Sequence, residues 1–73
     1  MDGIEEIAVV DRVEQDTIFL KWKDGTECMI ADRPQIAEAF HVGEKVRVLS
    51  TSNCIGGTVK AVGRIEEKEW YEV

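Results

Sequence analysis

The chain has 73 residues, the size of one small domain, and 44% apolar with 33% charged residues indicates a folded protein rather than a disordered tail. The formal net charge is −6 and the isoelectric point about 4.6, which disfavours a nucleic-acid-binding module because such modules are usually basic. No apolar run approaches the ~18 residues of a membrane span, and the acidic first residues differ from a secretory signal. We therefore expect a cytoplasmic protein with free thiols and no membrane partner. A disulfide between Cys28 and Cys54 is left open, because the sequence does not place the two sulfurs.

The charge is distributed unevenly along the chain. Residues 1–16 hold six acids and one base (net −5), residues 65–73 hold four acids and one base (net −3), and residues 17–64 hold seven bases and five acids (net +2). Because the termini of a small domain often lie close together, we expect the two acidic ends to share one face.

Two strands are predicted at the start of the chain. Residues 7–13 are rich in β-branched side chains, and residues 17–23 alternate between apolar and polar positions. Since strand side chains alternate between faces, one set of the second strand should face the core: Ile18, Leu20 and Trp22. Phe19 should then lie among lysines on the outer face or at an edge.

Turn signals join these strands to a third. Residues 14–16 form a plausible turn, and Asp24-Gly25 is typical of a two-residue type I′ hairpin. That hairpin should lead to a strand over residues 26–30, so the first half is predicted to be a three-stranded meander.

The pattern then changes to that of a short helix. Asp32 is a capping residue type, Pro34 follows early, and Gln35 stands three places after the cap. Gly43 should end the segment. A short apolar face is supplied by Ile36, Ala37, Ala39 and Phe40.

The second half returns to a strand pattern. A strand is expected over residues 45–49, with Val46 and Val48 inward, followed by a polar loop over 50–57. Next come a strand over 58–65, with Gly63 as a bulge or corner, and a last strand over 70–73.

These elements predict an all-β fold in one domain spanning residues 1–73. Five to six short antiparallel strands with one short helical turn favour a small SH3-like barrel, because closure removes exposed strand edges. An OB-like barrel is the alternative.

One pattern resembles a known family. Residues 43–49 (GEKVRVL) and 56–62 (GGTVKAV) are similar to the KOW motif of SH3-like barrels in transcription elongation and ribosomal proteins. In that motif a Gly-x-x-Val-x-Val strand is followed by a loop and a Gly-x-Val strand. The resemblance covers residues 43–65 and implies an SH3-like barrel associated with nucleic acid.

A nucleic-acid face is therefore the alternative functional hypothesis. Basic groups bind phosphates and an aromatic ring stacks on bases, and the residues that would do so are Phe19, Lys21, Lys23, Lys45 and Arg47. The same residues are also what the outer faces of ordinary alternating strands contain.

The leading hypothesis is a non-enzymatic protein-binding module, such as a small adaptor, inhibitor or regulatory subunit. Adjacent Trp70 and Tyr71 should fall on opposite faces of a strand, so one of them should be exposed beside the acidic C-terminal residues. The partner would present a basic patch, and its binding residues here would be Glu66, Glu67, Glu69, Trp70 and Tyr71. The simpler interpretation is an acidic surface that keeps the protein in solution. Homo-oligomerisation is left open.

No catalytic or metal-binding set is recognisable. His41 is the single histidine, and Cys28 and Cys54 have no metal-ligand spacing. A Cys54–His41 pair is the one nucleophile–base combination that can be built, and no third residue orients the histidine. We expect no enzyme activity, no metal and no cofactor.

Overall fold

A single antiparallel sheet, curled into a half-barrel, and one short helix make up the fold. The computed structural model describes residues 3–51 and 58–73. In chain order these contain β1 (Ile4–Glu14), β2 (Thr17–Lys21), β3 (Glu27–Ile30), α1 (Pro34–Ala39), β4 (Lys45–Ser50), β5 (Val59–Arg64) and β6 (Tyr71–Glu72). The strand order is β3-β2-β1-β4-β5-β6. The predicted class, a small all-β barrel of five to six strands with one helical turn, is confirmed.

Strand β1 curls the sheet because it belongs to two antiparallel pairs. Its first part pairs with β4 and its second part with β2, and the register shifts between Val10 and Arg12. At Val10 the strand leaves β4 and bonds the turn before it: its N–H donates to the Glu44 carbonyl (2.9 Å) and its carbonyl accepts from the Gly43 N–H (2.8 Å). A bulge of this kind bends a strand and increases its twist.

The core lies on the concave side of the sheet under the helix. Ile18 and Leu20 are fully buried and Trp22 packs partly buried against them, as the alternation predicted. Val46 and Val48 also face inward as predicted. The other buried apolar residues of this cluster are Ala8, Val10, Ile30, Ile36, Phe40, Val59 and Val62.

The hairpin between β2 and β3 exists, but its turn type was predicted wrongly. The Gly25 N–H donates to the Trp22 carbonyl (3.0 Å) and the Trp22 N–H donates to the Thr26 carbonyl (2.8 Å). Gly25 has φ 93°, whereas Asp24 does not take a positive φ. The loop is thus three residues long, a turn followed by one left-handed glycine. Oδ1 of Asp24 accepts the Thr26 N–H (2.9 Å), and this hydrogen bond lowers the pKa of the Asp24 carboxyl.

Helix α1 begins one residue later and ends earlier than its signals suggested. Arg33, not Asp32, is the N-cap, and no side chain caps the helix. Asp32 itself takes the left-handed φ of 59°, which removes it from the capping position. Pro34 opens the helix as predicted. Gly43 does not end it: the helix stops at Ala39.

Gly43 serves the turn that precedes β4 instead. It has φ 90°, and the Glu44 N–H donates to the His41 carbonyl (3.0 Å) across it. Glycine suits this position because it takes positive φ without a Cβ penalty.

The predicted bulge at Gly63 is absent from β5. Gly63 pairs in regular register with Arg47. The register shift lies further along the pair, where Leu49 is opposite Ala61 and Ser50 is opposite Val59, so the extra residue on β5 is Lys60. A Cβ at Gly63 would lie 2.8 Å from Nη2 of Arg47 and 2.8 Å from the Glu69 carbonyl oxygen. Close approach of the C-terminal segment, not a kink, is what this glycine permits.

The structure bears on two expectations from the sequence, namely the lack of a membrane span and the free thiols. In residues 3–51 and 58–73 no helix has the length and apolarity needed to cross a membrane. Cys28 is disulfide-bonded, so the expectation of a free thiol there is wrong. Cys54 lies outside the described residues.

Candidate functional site

Arg47 holds the acidic C-terminal segment, residues 65–70, against the sheet. Its Nε donates to the Arg64 carbonyl (2.9 Å), and its Nη2 donates to the carbonyls of Glu67 and Glu69, the latter at 3.3 Å. Its Nη1 lies 3.9 Å from the Glu5 carboxylate. The planar guanidinium suits this arrangement because it offers several donors in fixed directions.

The indole of Trp70 covers the same guanidinium. The Arg47 Cζ lies 4.2 Å from the ring centroid, a geometry in which the ring face attracts the cation. The absence of a Cβ at Gly63 leaves room for the Arg47 guanidinium and the Trp70 indole. Strand β5 and the C-terminal segment therefore both pack around Arg47.

Arg64 ties the other end of the segment to the helix. Its Nη1 donates to the Tyr71 hydroxyl (2.9 Å), and its Nη2 donates to the Ala39 carbonyl. The guanidinium also lies 3.5 Å from the carboxylates of Glu44 and Glu67. The hydrogen bond that Arg64 donates to the Tyr71 hydroxyl, aided by the nearby carboxylates, raises the pKa of Arg64.

The structure brings one N-terminal acid, Glu5, to the acidic C-terminal segment, with Arg47 between them. Asp11 and Glu14 lie on the part of β1 that runs along β2, so the expectation of one shared face holds only for Glu5. Glu66, Glu67 and Glu69 are exposed on the segment, and Glu5 approaches from β1. These four carboxylates are called the acidic face below.

The two aromatic residues predicted beside the acidic face are half-buried. Trp70 lies against Arg47, and Tyr71 meets Phe40 edge to face, with ring centroids 5.2 Å apart and 72° between planes. Neither ring is exposed, so the expectation that one of them would be exposed is wrong. Both help to fix the segment whose carboxylates face solvent.

The residues of the alternative nucleic-acid face are divided by the structure. Lys21, Lys23 and Lys45 line one groove. Arg47 is occupied by the C-terminal segment, and its side chain is only 16% exposed. Phe19 does not line the groove. Its ring packs under the Arg12 guanidinium, with the Arg12 Cζ 4.1 Å from the centroid of the Phe19 ring.

That groove, called the lysine groove below, has a volume of about 670 Å³. Its lining comes from β1, the end of β2 and the turn before β4, and includes Ile7, Val9, Trp22, Val42 and the three lysines. Val9 pairs with Lys21 on one side and Lys45 on the other. Lys21, Val9 and Lys45 therefore form one cross-strand row on the outer face.

Sequence reasoning missed the apolar part of this groove. Ile7 is 50% exposed and Val42 is 64% exposed. Ile7 shares its strand parity with Val9, opposite to buried Ala8 and Val10, so the pattern contained the signal. The sequence contained no such signal for Val42, because only the path of the turn before β4 brings this residue close to β1.

Within the described residues, the geometry supports neither the Cys54–His41 pair nor a metal site. In the parts of the chain that the structure describes, no three His, Cys, Asp or Glu side chains come together as a metal site. His41 is exposed, and its backbone N–H donates to Oε1 of Glu44 (3.1 Å). Cys54, its hypothetical nucleophilic partner, lies outside the described residues.

Comparison with known proteins identified no similar protein. No family model matches the chain, and neither a curated protein nor a solved structure matches it. The resemblance to the KOW motif stays a prediction, and residues 56–57 of that motif lie outside the described residues.

Proposed function

We propose that this protein is a non-enzymatic protein-binding module that docks a basic patch of its partner on the acidic face. The observation that supports this best is the set of Arg47 contacts, which holds residues 65–70 in place by backbone hydrogen bonds. A segment that is already ordered loses less conformational entropy when a partner binds.

Two carboxylates of this face, those of Glu66 and Glu69, are available for a partner. Arg64 engages Glu67 at 3.5 Å, whereas within residues 3–51 and 58–73 no ion pair involves the side chains of Glu66 and Glu69. Arg47 directs its hydrogen bonds to backbone carbonyls, and of the four carboxylates it approaches Glu5 alone, at 3.9 Å. The face therefore keeps its negative charge, which would steer a basic partner towards it.

Charge reversal tests this proposal. We expect the double variant Glu66→Lys with Glu69→Lys to lose a partner that the wild-type protein captures from lysate of the source cell after nuclease treatment. The matched control is Glu14→Lys with Glu38→Lys, which changes the net charge equally at exposed positions elsewhere. Equal capture by wild type and Glu66→Lys with Glu69→Lys would contradict the proposal.

A nucleic-acid-associated module of the KOW type is the second candidate. The observation that favours it is the gathering of Lys21, Lys23 and Lys45 along one groove. It predicts binding to nucleic acid that weakens steeply with added salt, because phosphate contacts release counterions. The net charge of −6 opposes it.

The location of the protein is part of the same proposal. A cytoplasmic site stays a prediction from the sequence. The disulfide at Cys28 argues for an oxidising compartment instead, since disulfides are rare in the reducing cytosol.

A further inference from the structure

The lysine groove is a second surface, separate from the acidic face. We propose that it binds an acidic, amphipathic peptide segment of another protein, with apolar side chains of the peptide on Ile7, Val9 and Val42 and its carboxylates at the lysines. The protein would then join two partners of opposite charge.

The apolar part of the groove indicates that something covers it. Ile7 and Val42 rank among the most exposed large hydrophobic residues of the described chain, and they lie beside half-buried Val9 in the same groove. Single exposed apolar residues are ordinary, but a contiguous set around a concave surface marks a binding site.

Charge decides the kind of partner. The chain as a whole carries −6, yet the residues lining this groove include three lysines against one acid, Asp11. Lys21 and Lys45 flank Val9 across two strand spacings, so their backbones lie about 10 Å apart. A peptide with carboxylates on both sides of an apolar side chain matches this row.

Two other occupants fit less well. A polynucleotide would meet mainly aliphatic side chains in the groove and a net negative charge elsewhere, and Phe19 and Arg47 lie away from its path. A second copy would have to offer its acidic C-terminal segment, which Arg47 and Arg64 hold on its own sheet.

Trp22 provides a reporter inside the groove. Its indole Nε1–H is buried and has no acceptor among the described residues, although a buried donor usually has one. A peptide carbonyl or carboxylate that reaches this donor would satisfy it, and its NMR resonance would then shift downfield.

The test uses a synthetic peptide in which aspartates alternate with leucines and phenylalanines, labelled with a fluorophore. We expect it to bind the wild-type protein and to shift the amide resonances of β1, β2 and residues 41–44 together with the Trp22 indole resonance. Lys21→Glu with Lys45→Glu should weaken binding about tenfold or more. Val42→Asp should weaken peptide binding comparably. Because Val42 is exposed, this substitution should not disturb the fold.

Matched controls separate charge from site. Lys60→Glu with Lys68→Glu changes the net charge equally at exposed positions outside the groove and should leave affinity nearly unchanged. A peptide with serines in place of the leucines and phenylalanines should not bind.

Three results would overturn the proposal. One is an equal loss of affinity in the two double charge-reversal variants, Lys21→Glu with Lys45→Glu and Lys60→Glu with Lys68→Glu. That result would mean that the peptide is held by non-specific electrostatic attraction. Another is tighter binding of oligo-dT than of the peptide at the same residues. The third is concentration-dependent dimerisation of the free protein that Lys21→Glu with Lys45→Glu abolishes. Because Glu66→Lys with Glu69→Lys leaves this groove intact, failure here is distinguishable from failure of the acidic-face proposal.

Discussion

At the scale of single residues, two arginines behave unlike the lysines with which strand alternation grouped them. Arg47 is half-buried and bonded to backbone carbonyls of the C-terminal segment. Arg64 lies 5.0 Å from the Phe40 ring and donates to Tyr71. Lysine could not replace either, since its ammonium lacks the planar set of donors.

Gly63 is a sensitive position because of these contacts. We expect Gly63→Ala to lower the free energy of unfolding by about 1–3 kcal/mol, the usual cost of forcing extra atoms into a packed site. Its Cβ would otherwise stand 2.8 Å from Nη2 of Arg47 and from the Glu69 carbonyl oxygen. Urea denaturation measures the change.

Gly25→Ala is the control for this prediction. Gly25 has φ 93° and open space around a built Cβ, so alanine there should cost only backbone strain of about 1–2 kcal/mol. Amide exchange in residues 65–70 should rise for Gly63→Ala and not for Gly25→Ala. An unchanged unfolding midpoint for Gly63→Ala would show that the segment does not pack closely on β5.

At the scale of elements, the segment 65–70 contains no regular structure and depends on side-chain contacts. We expect Arg47→Lys to raise amide exchange in this segment about tenfold, since charge-assisted hydrogen bonds contribute about 1.5–3 kcal/mol each. Hydrogen exchange followed by mass spectrometry measures this. Secondary structure by circular dichroism should remain.

Lys45→Ala is the matched control on the same strand, because Lys45 is exposed two residues before Arg47. It should leave exchange in residues 65–70 at the wild-type rate. Equal exchange in Arg47→Lys and wild type would contradict the role assigned to Arg47 and would remove the main support for an ordered acidic face.

At the scale of the whole molecule, a small sheet is reinforced by a covalent link at β3. A domain of this size buries only about 60% of its chain surface, so its core alone is marginal. We expect reduction to lower the free energy of unfolding by about 2–4 kcal/mol, the usual contribution of a native disulfide. Guanidinium denaturation with and without reductant measures this.

Thiol labelling tests the premise directly. In denaturant without reductant, the peptide that contains Cys28 should not react with a maleimide, because its sulfur is disulfide-bonded. Labelling of Cys28 before reduction would show that the thiol is free and would restore the cytoplasmic expectation.

The fold class could be predicted because its signals are local. Alternation in residues 17–21 and 45–49 placed Ile18, Leu20, Val46 and Val48 inward, since side chains on a strand alternate whatever the strand pairs with. The hairpin and the short helix followed from Gly25 and Pro34 for the same reason. Their boundaries and turn type did not, because hydrogen bonds to Trp22 and the cap at Arg33 depend on neighbouring elements.

The acidic ends, the outward lysines and the alternating core can be recognised from local sequence patterns. Which of these groups become neighbours depends on how the strands pair. The pairing of β1 with both β2 and β4 joined Lys21, Val9 and Lys45 in one row. The pairing of β4 with β5 set Arg47 beside Gly63. Such contacts link positions far apart in the chain, so no local pattern encodes them, and only the register of the paired strands fixes which side chains become neighbours.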